Sequence, residues 1–166
     1  VNGGALTAFQ IFPDDELEII NNEGNQICEI ICFNKDGKSD VGILNLKSNN
    51  EKNFIRNILN GKDETILATN YQLKKRNLNI SDSKSSIIFD LDAKAGESFK
   101  LKSKDKCYAI FAAPSEDMDV TNQNPPSDLT IFIKRSQIVN DKELNVIPDP
   151  VFEPLYEENI NKETSI

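Results

Sequence analysis

Histidine is absent from the 166 residues, which removes the commonest general base and the commonest metal-ligating side chain. Ser-His-Asp catalysis is excluded, because no imidazole exists to take the nucleophile's proton. Any chemistry must run on carboxylates, thiols, lysine, tyrosine or a borrowed group. Cysteine is scarce: three residues, none in a Cys-x-x-Cys pair. Three cannot all pair with one another, and each sits in or beside an apolar strand pattern, so they read as reduced thiols of a cytoplasmic protein. No stretch approaches the roughly 18 apolar residues of a membrane helix, and the N-terminal residues lack a basic region followed by an apolar one. A soluble protein is expected. Positive charge is in deficit, with 19 Lys and Arg against 27 Asp and Glu and a net charge of −8. The longest basic run is Lys74-Lys75-Arg76, too short to neutralise phosphate, which argues against nucleic acid or an anionic membrane as partner.

What is present is a pattern that occurs twice. Phe9-Gln10-Ile11-Phe12-Pro13-Asp14-Asp15-Glu16-Leu17-Glu18-Ile19 reads as strand, acidic turn, strand, and so does the stretch from Phe89 through Asp92 and Gly96 to Leu101. Each copy passes a polar turn, Asn21-Asn22-Glu23-Gly24 or Ser103-Lys104-Asp105-Lys106, and enters an apolar strand with cysteine, Cys28–Phe33 or Cys107–Phe111. Apolar and polar residues alternate, which predicts one wet and one buried face per strand. The expected fold is all-β: a β-sandwich or barrel of two similar halves with one short helix. A chain of this length buries roughly 70% of its unfolded surface, so a single core is the default. The helix is placed at 49–61, where Phe54, Ile55, Ile58 and Leu59 share a face and Gly61 supplies the C-cap. Thr65–Tyr71 reads as a strand. Residues 1–140 form the β domain, and 141–166, proline-punctuated and acidic, read as a tail or linker. The opening Val1-Asn2-Gly3-Gly4 reads as a processed start or as the interior of a longer chain.

Several segments carry a family likeness. Gly4-Ala5, Phe12–Ile19 and Asn22–Glu29, followed by Ala113-Pro114-Ser115-Glu116-Asp117-Met118-Asp119 and Asn124-Pro125-Pro126-Ser127-Asp128-Leu129, resemble the urea-carboxylase-associated domains over the first third of the chain and from Phe89 to Arg135. The resemblance implies small nitrogen-compound metabolism: accessory subunits beside urea carboxylase, carboxyguanidine deimination, or the amino-terminal region of methylated-amine demethylases. Some members are fused to a folate-binding domain like the glycine-cleavage aminomethyltransferase. A larger enzyme subunit or such a fused domain is therefore the expected partner. The family's thiolates look like zinc ligands, but the cysteine before the proline is Ala113 here, and its cysteine-bearing central region has no counterpart between Tyr71 and Ile88. Zinc needs three or four converging ligands, so neither metal nor cofactor is expected.

Cys28 and Cys32, four apart on a strand, would lie about 13 Å apart on one face at ~3.3 Å per residue and cannot share a metal; Cys107 could bring one pair close. They read as buried free thiols. The run from Asp117 to Asp128 echoes a calcium loop, but Asn122 stands where glycine is required and Pro125-Pro126 break the following helix. Asp and Asn capping their own loop amides is the better reading. Gln26 and Glu29 occupy the family's polar pair, and Asp117, Asp119, Asn124 and Asp128 lie in the closing loop. Brought together at one mouth, these six would bind a small cationic amine or amidinium, whose N–H donors match carboxylate acceptors; the alternative is a solvated acidic rim. The functional expectation is a non-catalytic or half-site subunit or domain of an enzyme of small nitrogen-compound or one-carbon (methylated-amine) metabolism, scaffolding a partner and lining a cation pocket. Alternatives are a stand-alone metal-dependent lyase or hydrolase using Glu29, Asp117 or Asp119 as acid or base beside ligands from a neighbouring subunit, and a small-ligand binding module.

Overall fold

Pro13 fixes the first reversal, and Asp14 completes it in the left-handed region at φ 67°, a conformation Asp tolerates better than most residues. Asp15 N donates to Phe12 O, and the Asp15 carboxylate accepts Phe12 N in return. In the computed structural model, which describes residues 1–49, 53–115 and 125–136 and the backbone of two short strands at 157–162 and 164–165, this turn joins β1 (Leu6–Ile11) to β2 (Glu16–Asn21). The two strands do not pair. β1 pairs with β6 (Cys107–Ala112), whereas β2 pairs with β5 (Glu97–Lys102) and β7 (Leu129–Lys134). The turn is therefore an arch that carries the chain from one sheet to the other.

The same path is taken twice. β3 (Cys28–Asn34) follows β2 back into the first sheet, and β4 (Ser85–Ile88), β5 and β6 repeat the excursion. The sheets are four-stranded, β1-β6-β3-β4, and three-stranded, β5-β2-β7, with every pair antiparallel. Exchanging β1 with β4, β2 with β5 and β3 with β6 maps the four-stranded order onto itself. Ile31 faces Ile110 at the centre, and Cys28 and Cys107 stand equally far before each. The fold is thus an all-β sandwich of two separate sheets. One boundary differs from the sequence reading: the second unit's first strand is Ser85–Ile88, and Phe89, at φ 66°, already opens the turn. β8 (Glu157–Lys162) and β9 (Thr164–Ser165) pair with each other; the 140/141 boundary lies outside the described residues.

Phe9, Ile11, Leu17, Ile19, Ile30 and Phe111 lead the core between the sheets, with Phe9 and Phe111 stacked at 5.2 Å. A second core lies on the other face of the four-stranded sheet, where Ile31, Phe33 and Ile110 meet Ile55, Leu59, Ile66 and Leu73. Each such buried side chain contributes roughly 2 kcal/mol. These last four belong to or follow two helices, α1 (Phe54–Ile58) and α2 (Glu64–Lys75). α1 is the expected short helix; α2 corrects the reading of Thr65–Tyr71 as a strand. The Asp63 side chain caps Ile66 N, and Ile66, Thr69 and Leu73 are buried at helical spacing. β-branched Thr65, Ile66 and Thr69 favoured a strand locally, but packing onto the sheet outweighed propensity. Among the described residues no helix is long and apolar enough to cross a membrane.

Candidate functional site

Two side chains, one at the end of β2 and one in the turn that follows, organise one end of the sandwich. Gln26 is 3% exposed; its Nε2 donates to Pro114 O at 2.9 Å and to Ile27 O at 2.8 Å, and its Oε1 accepts Ser127 N at 2.8 Å. Pro114 leaves β6 and Ser127 leads into β7, so one buried amide ties both stems of the closing loop. Asn21, the last residue of β2, is fully buried and holds Gln26 from behind, Nδ2 donating to Gln26 O at 2.7 Å. Its Oδ1 has no hydrogen-bond partner among the described residues.

The N-terminal segment closes this end from the side. Leu129 N donates to Val1 O, Gly3 N to Asp128 Oδ1 at 2.8 Å, and Gly4 N to Ala113 O. The strap fits because Gly3 has no side chain: a Cβ there would stand 2.5 Å from Pro126 O. Across the mouth, the Asn25 main chain and side chain hold the β4–β5 turn through Ala93 O and Leu91 O. Glu23, Asp92, Glu97 and Asp128 are exposed around this end. At the opposite end stand Arg76, Lys102, Lys104, Lys106, Lys134 and Arg135, beside the turns at Asp15 and Ser103. Each end also carries the other sign: Lys94 is exposed in the β4–β5 turn at the Gln26 end, and Asp14, Asp15, Glu16 and Asp105 stand among the bases at the other.

Of the six predicted site residues, Gln26 and Asp128 meet here, linked through the Ser127 amide and the N-terminal strap. Glu29 does not join them. It points to the helix-covered face of β3, is completely buried, and accepts Phe54 N at 2.9 Å, Ile55 N at 2.6 Å and Ser85 Oγ at 3.0 Å. These bonds cap the first turn of α1 and pin it to β4, a structural use of the carboxylate. Asp117, Asp119 and Asn124 lie outside the described residues.

The thiols and Tyr108 are further buried titratable groups. All three cysteines are buried and unpaired as disulfides. A hydrogen bond with Cys107 and burial hold the Cys32 thiol far above its ordinary range, and burial does the same to Cys28, so neither is a thiolate near neutrality. Ala113, where the resembling family carries a cysteine, is packed in the core. No three His, Cys, Asp or Glu side chains gather as a metal set among the described residues. Burial pushes Tyr108 up to about 12 against the pull of the Arg76 guanidinium, whose Cζ lies 4.2 Å from the ring centroid.

Two residues escaped the sequence reading. Asn21 was legible in principle, since Leu17, Ile19 and Asn21 share one parity and a polar residue there breaks an inward-facing apolar row. Asp15, fully buried, binds Arg135 Nη1 at 2.7 Å and Ser136 N at 2.9 Å, latching the end of β7 to the first turn. Nothing near Asp15 in the chain announces a partner 120 residues on.

Compared with curated proteins, the chain is 26% identical over 165 residues to the trimethylamine-oxide aldolase of Ruegeria pomeroyi (strain ATCC 700808 / DSM 15171 / DSS-3). The match spans 99% of this chain and 21% of that protein, so the chain covers about a fifth of its relative's length. No protein-family model and no solved structure matches it.

Proposed function

We propose that this chain is a β-sandwich domain or subunit of an enzyme that metabolises a methylated amine or a related small nitrogen compound, that it scaffolds a larger partner, and that its Gln26 end binds the cationic amine. The observation that carries the reading is the end-to-end similarity to one-fifth of a trimethylamine-oxide aldolase. A segment alignable over its whole length with a fraction of a longer enzyme supports a role as one module of such an enzyme. The partner is a larger enzyme subunit or a fused folate-binding domain, as the resemblance to urea-carboxylase-associated domains implies, and residues 141–166 serve as the link. Bond breaking belongs to the partner: at the described end the carboxamide of Gln26 is committed to loop stems, and Glu29 is spent on α1. The acids around the mouth, Asp128 among them, supply attraction for a cation, to which Asp117, Asp119 and Asn124 of the closing loop add further oxygen acceptors.

The test is to incubate the purified chain with trimethylamine oxide and with mono-, di- and trimethylamine, following the methyl resonances by NMR and the unfolding midpoint by calorimetry. Expected are stabilisation by the methylated cations, by mass action, and no turnover. Turnover by the chain alone would overturn the non-catalytic reading. Failure of every methylammonium ion to raise the midpoint would overturn the cation pocket.

A further inference from the structure

Strand β7 pairs with β2 along one side and, among the described residues, meets only Val1 along the other. Leu129 N donates to Val1 O at 2.9 Å, and Val1 N donates back to Leu129 O at 2.6 Å, the reciprocal exchange of a hydrogen-bonded antiparallel pair. Successive strand residues turn their N–H and C=O groups to alternate sides, so Ile131 and Ile133 present theirs to the same side as Leu129. No backbone partner meets them there among the described residues. Their side chains share the inward row with Leu129 and, like Val1, pack against the inter-sheet core while only partly buried. The other edges are closed or guarded. Asn49 bonds Ser85 O through its main chain and both Ile87 N and Ile87 O through its side chain, which seals β4. Every residue of β1 is buried, and Arg135 Nη1 donates to Gln10 O. β5 carries Glu97, Lys100 and Lys102, charges that oppose strand addition. β7, reading Leu-Thr-Ile-Phe-Ile-Lys, offers an apolar and β-branched edge.

We propose that the open side of β7 is a strand-accepting site, filled in the intact enzyme by an extended segment of the larger partner that runs antiparallel to β7 in the register Val1 sets. This rests on the reading of the chain as one module of a longer enzyme, supported by its match to 21% of its relative's length, and it names where the rest of that enzyme attaches. The chemistry of the occupant follows from the register. Residues opposite Ile131 and Ile133 continue the inward row that Val1 begins and are apolar, covering the two partly buried isoleucines. Residues opposite Thr130, Phe132 and Lys134 turn to the outer face, beside Ile20, Glu18 and Glu16 of β2, and are polar. Main-chain bonds to Ile131 and Ile133 supply affinity, and the alternation supplies specificity. A second copy of β7 paired about Phe132 would bring its Arg135 opposite Leu129, where Val1 already sits, so the edge suits a strand that ends beside Val1 rather than self-pairing.

Backbone-amide hydrogen exchange over the peptide that contains Ile131 and Ile133 is compared between the isolated chain and the intact enzyme purified from its own host. Exchange in the intact enzyme is expected to be slower by about a hundredfold. A larger polypeptide present with exchange unchanged would overturn the strand site and leave the module reading standing. A chain that purifies with no larger polypeptide, attached or bound, would overturn both. A defined probe tests the register separately. Val-Thr-Val-Thr is joined ahead of Val1, which sets valine opposite Ile131 and Ile133, and is compared with Thr-Val-Thr-Val, which sets threonine there. The first extension is expected to slow exchange at both isoleucines by about tenfold and to raise the unfolding midpoint by about 3 °C; the second is expected to do neither. Equal effects of the two extensions, or no effect of either, would overturn the site. Neither extension changes any of the 166 residues, so the comparison does not depend on a variant that must refold around a lost side chain.

Discussion

The four-stranded sheet and the three-stranded sheet are built from the same two strand excursions, yet among the described residues the first is covered on both faces and the second on one. In β1, β3 and β6 almost every residue is buried, polar ones included; in β2 burial alternates, and β5 is exposed along most of its length. The helices make the difference, because α1 and α2 lie over the outer face of the four-stranded sheet. A polar side chain on that sheet must find a partner inside the protein, whereas one on the outer face of the three-stranded sheet meets water. Glu29 and Gln10 illustrate the first condition: the carboxylate caps a helix, and the amide binds Cys107 O while accepting Arg76 Nη1. Glu18 and Phe132, opposite each other on the second sheet, illustrate the other condition, with Phe132 57% exposed.

The largest effect is expected from breaking the covered sheet's helix contact. Glu29→Ala leaves two helix amides and the Ser85 hydroxyl without their acceptor, and the loss should reach about 3 kcal/mol, read as a lower denaturant midpoint at unchanged m-value. Glu29→Gln, which retains one acceptor oxygen, should recover part of it. Next comes the latch between the sheets. Asp15→Asn removes the charge from a pair whose arginine is 25% exposed, and water reaching that side limits the cost to roughly 2 kcal/mol; amide exchange should rise in β7 before it rises in β3. Gln26→Leu releases both stems of the closing loop, each hydrogen bond counting for about 1 kcal/mol, and proteolysis between Ser115 and Pro125 should accelerate while global stability falls only modestly. Phe132→Thr, on the open face, should change stability by less than about 0.5 kcal/mol. A larger loss there would mean that the open face is covered in solution.

Much of this contrast can be read in the chain before any coordinates. The two excursions are legible through Pro13-Asp14 and Gly96 between alternating runs, enough for a two-halved all-β fold but not for choosing a sandwich over a barrel. The pairing was not legible, because an arch between sheets and a hairpin within one sheet need the same turn residues, and only packing decides between them. α2 was hidden by β-branched residues, although Asp63 at its start and Lys74-Lys75 at its end mark a helix by capping and dipole. For the site, Gln26 and Asp128 were singled out for their place in a motif, and the structure brings them to one end. Glu29 carried the same motif signal, but a one-residue difference in strand parity sends it to the other face. The partners of Asn21, Gln26 and Asp15 lie across turns and sheets, at separations that local pattern does not encode.

The direct measurement is a backbone-amide NMR titration of the native chain with trimethylammonium. Perturbations gathered on Asn21, Gln26, Ser127 and Asp128, with Glu29, Phe54 and Ile55 unmoved, are the expected outcome. Perturbations centred on the helix-covered face, or spread evenly over the surface acids, would contradict a cation site at the Gln26 end.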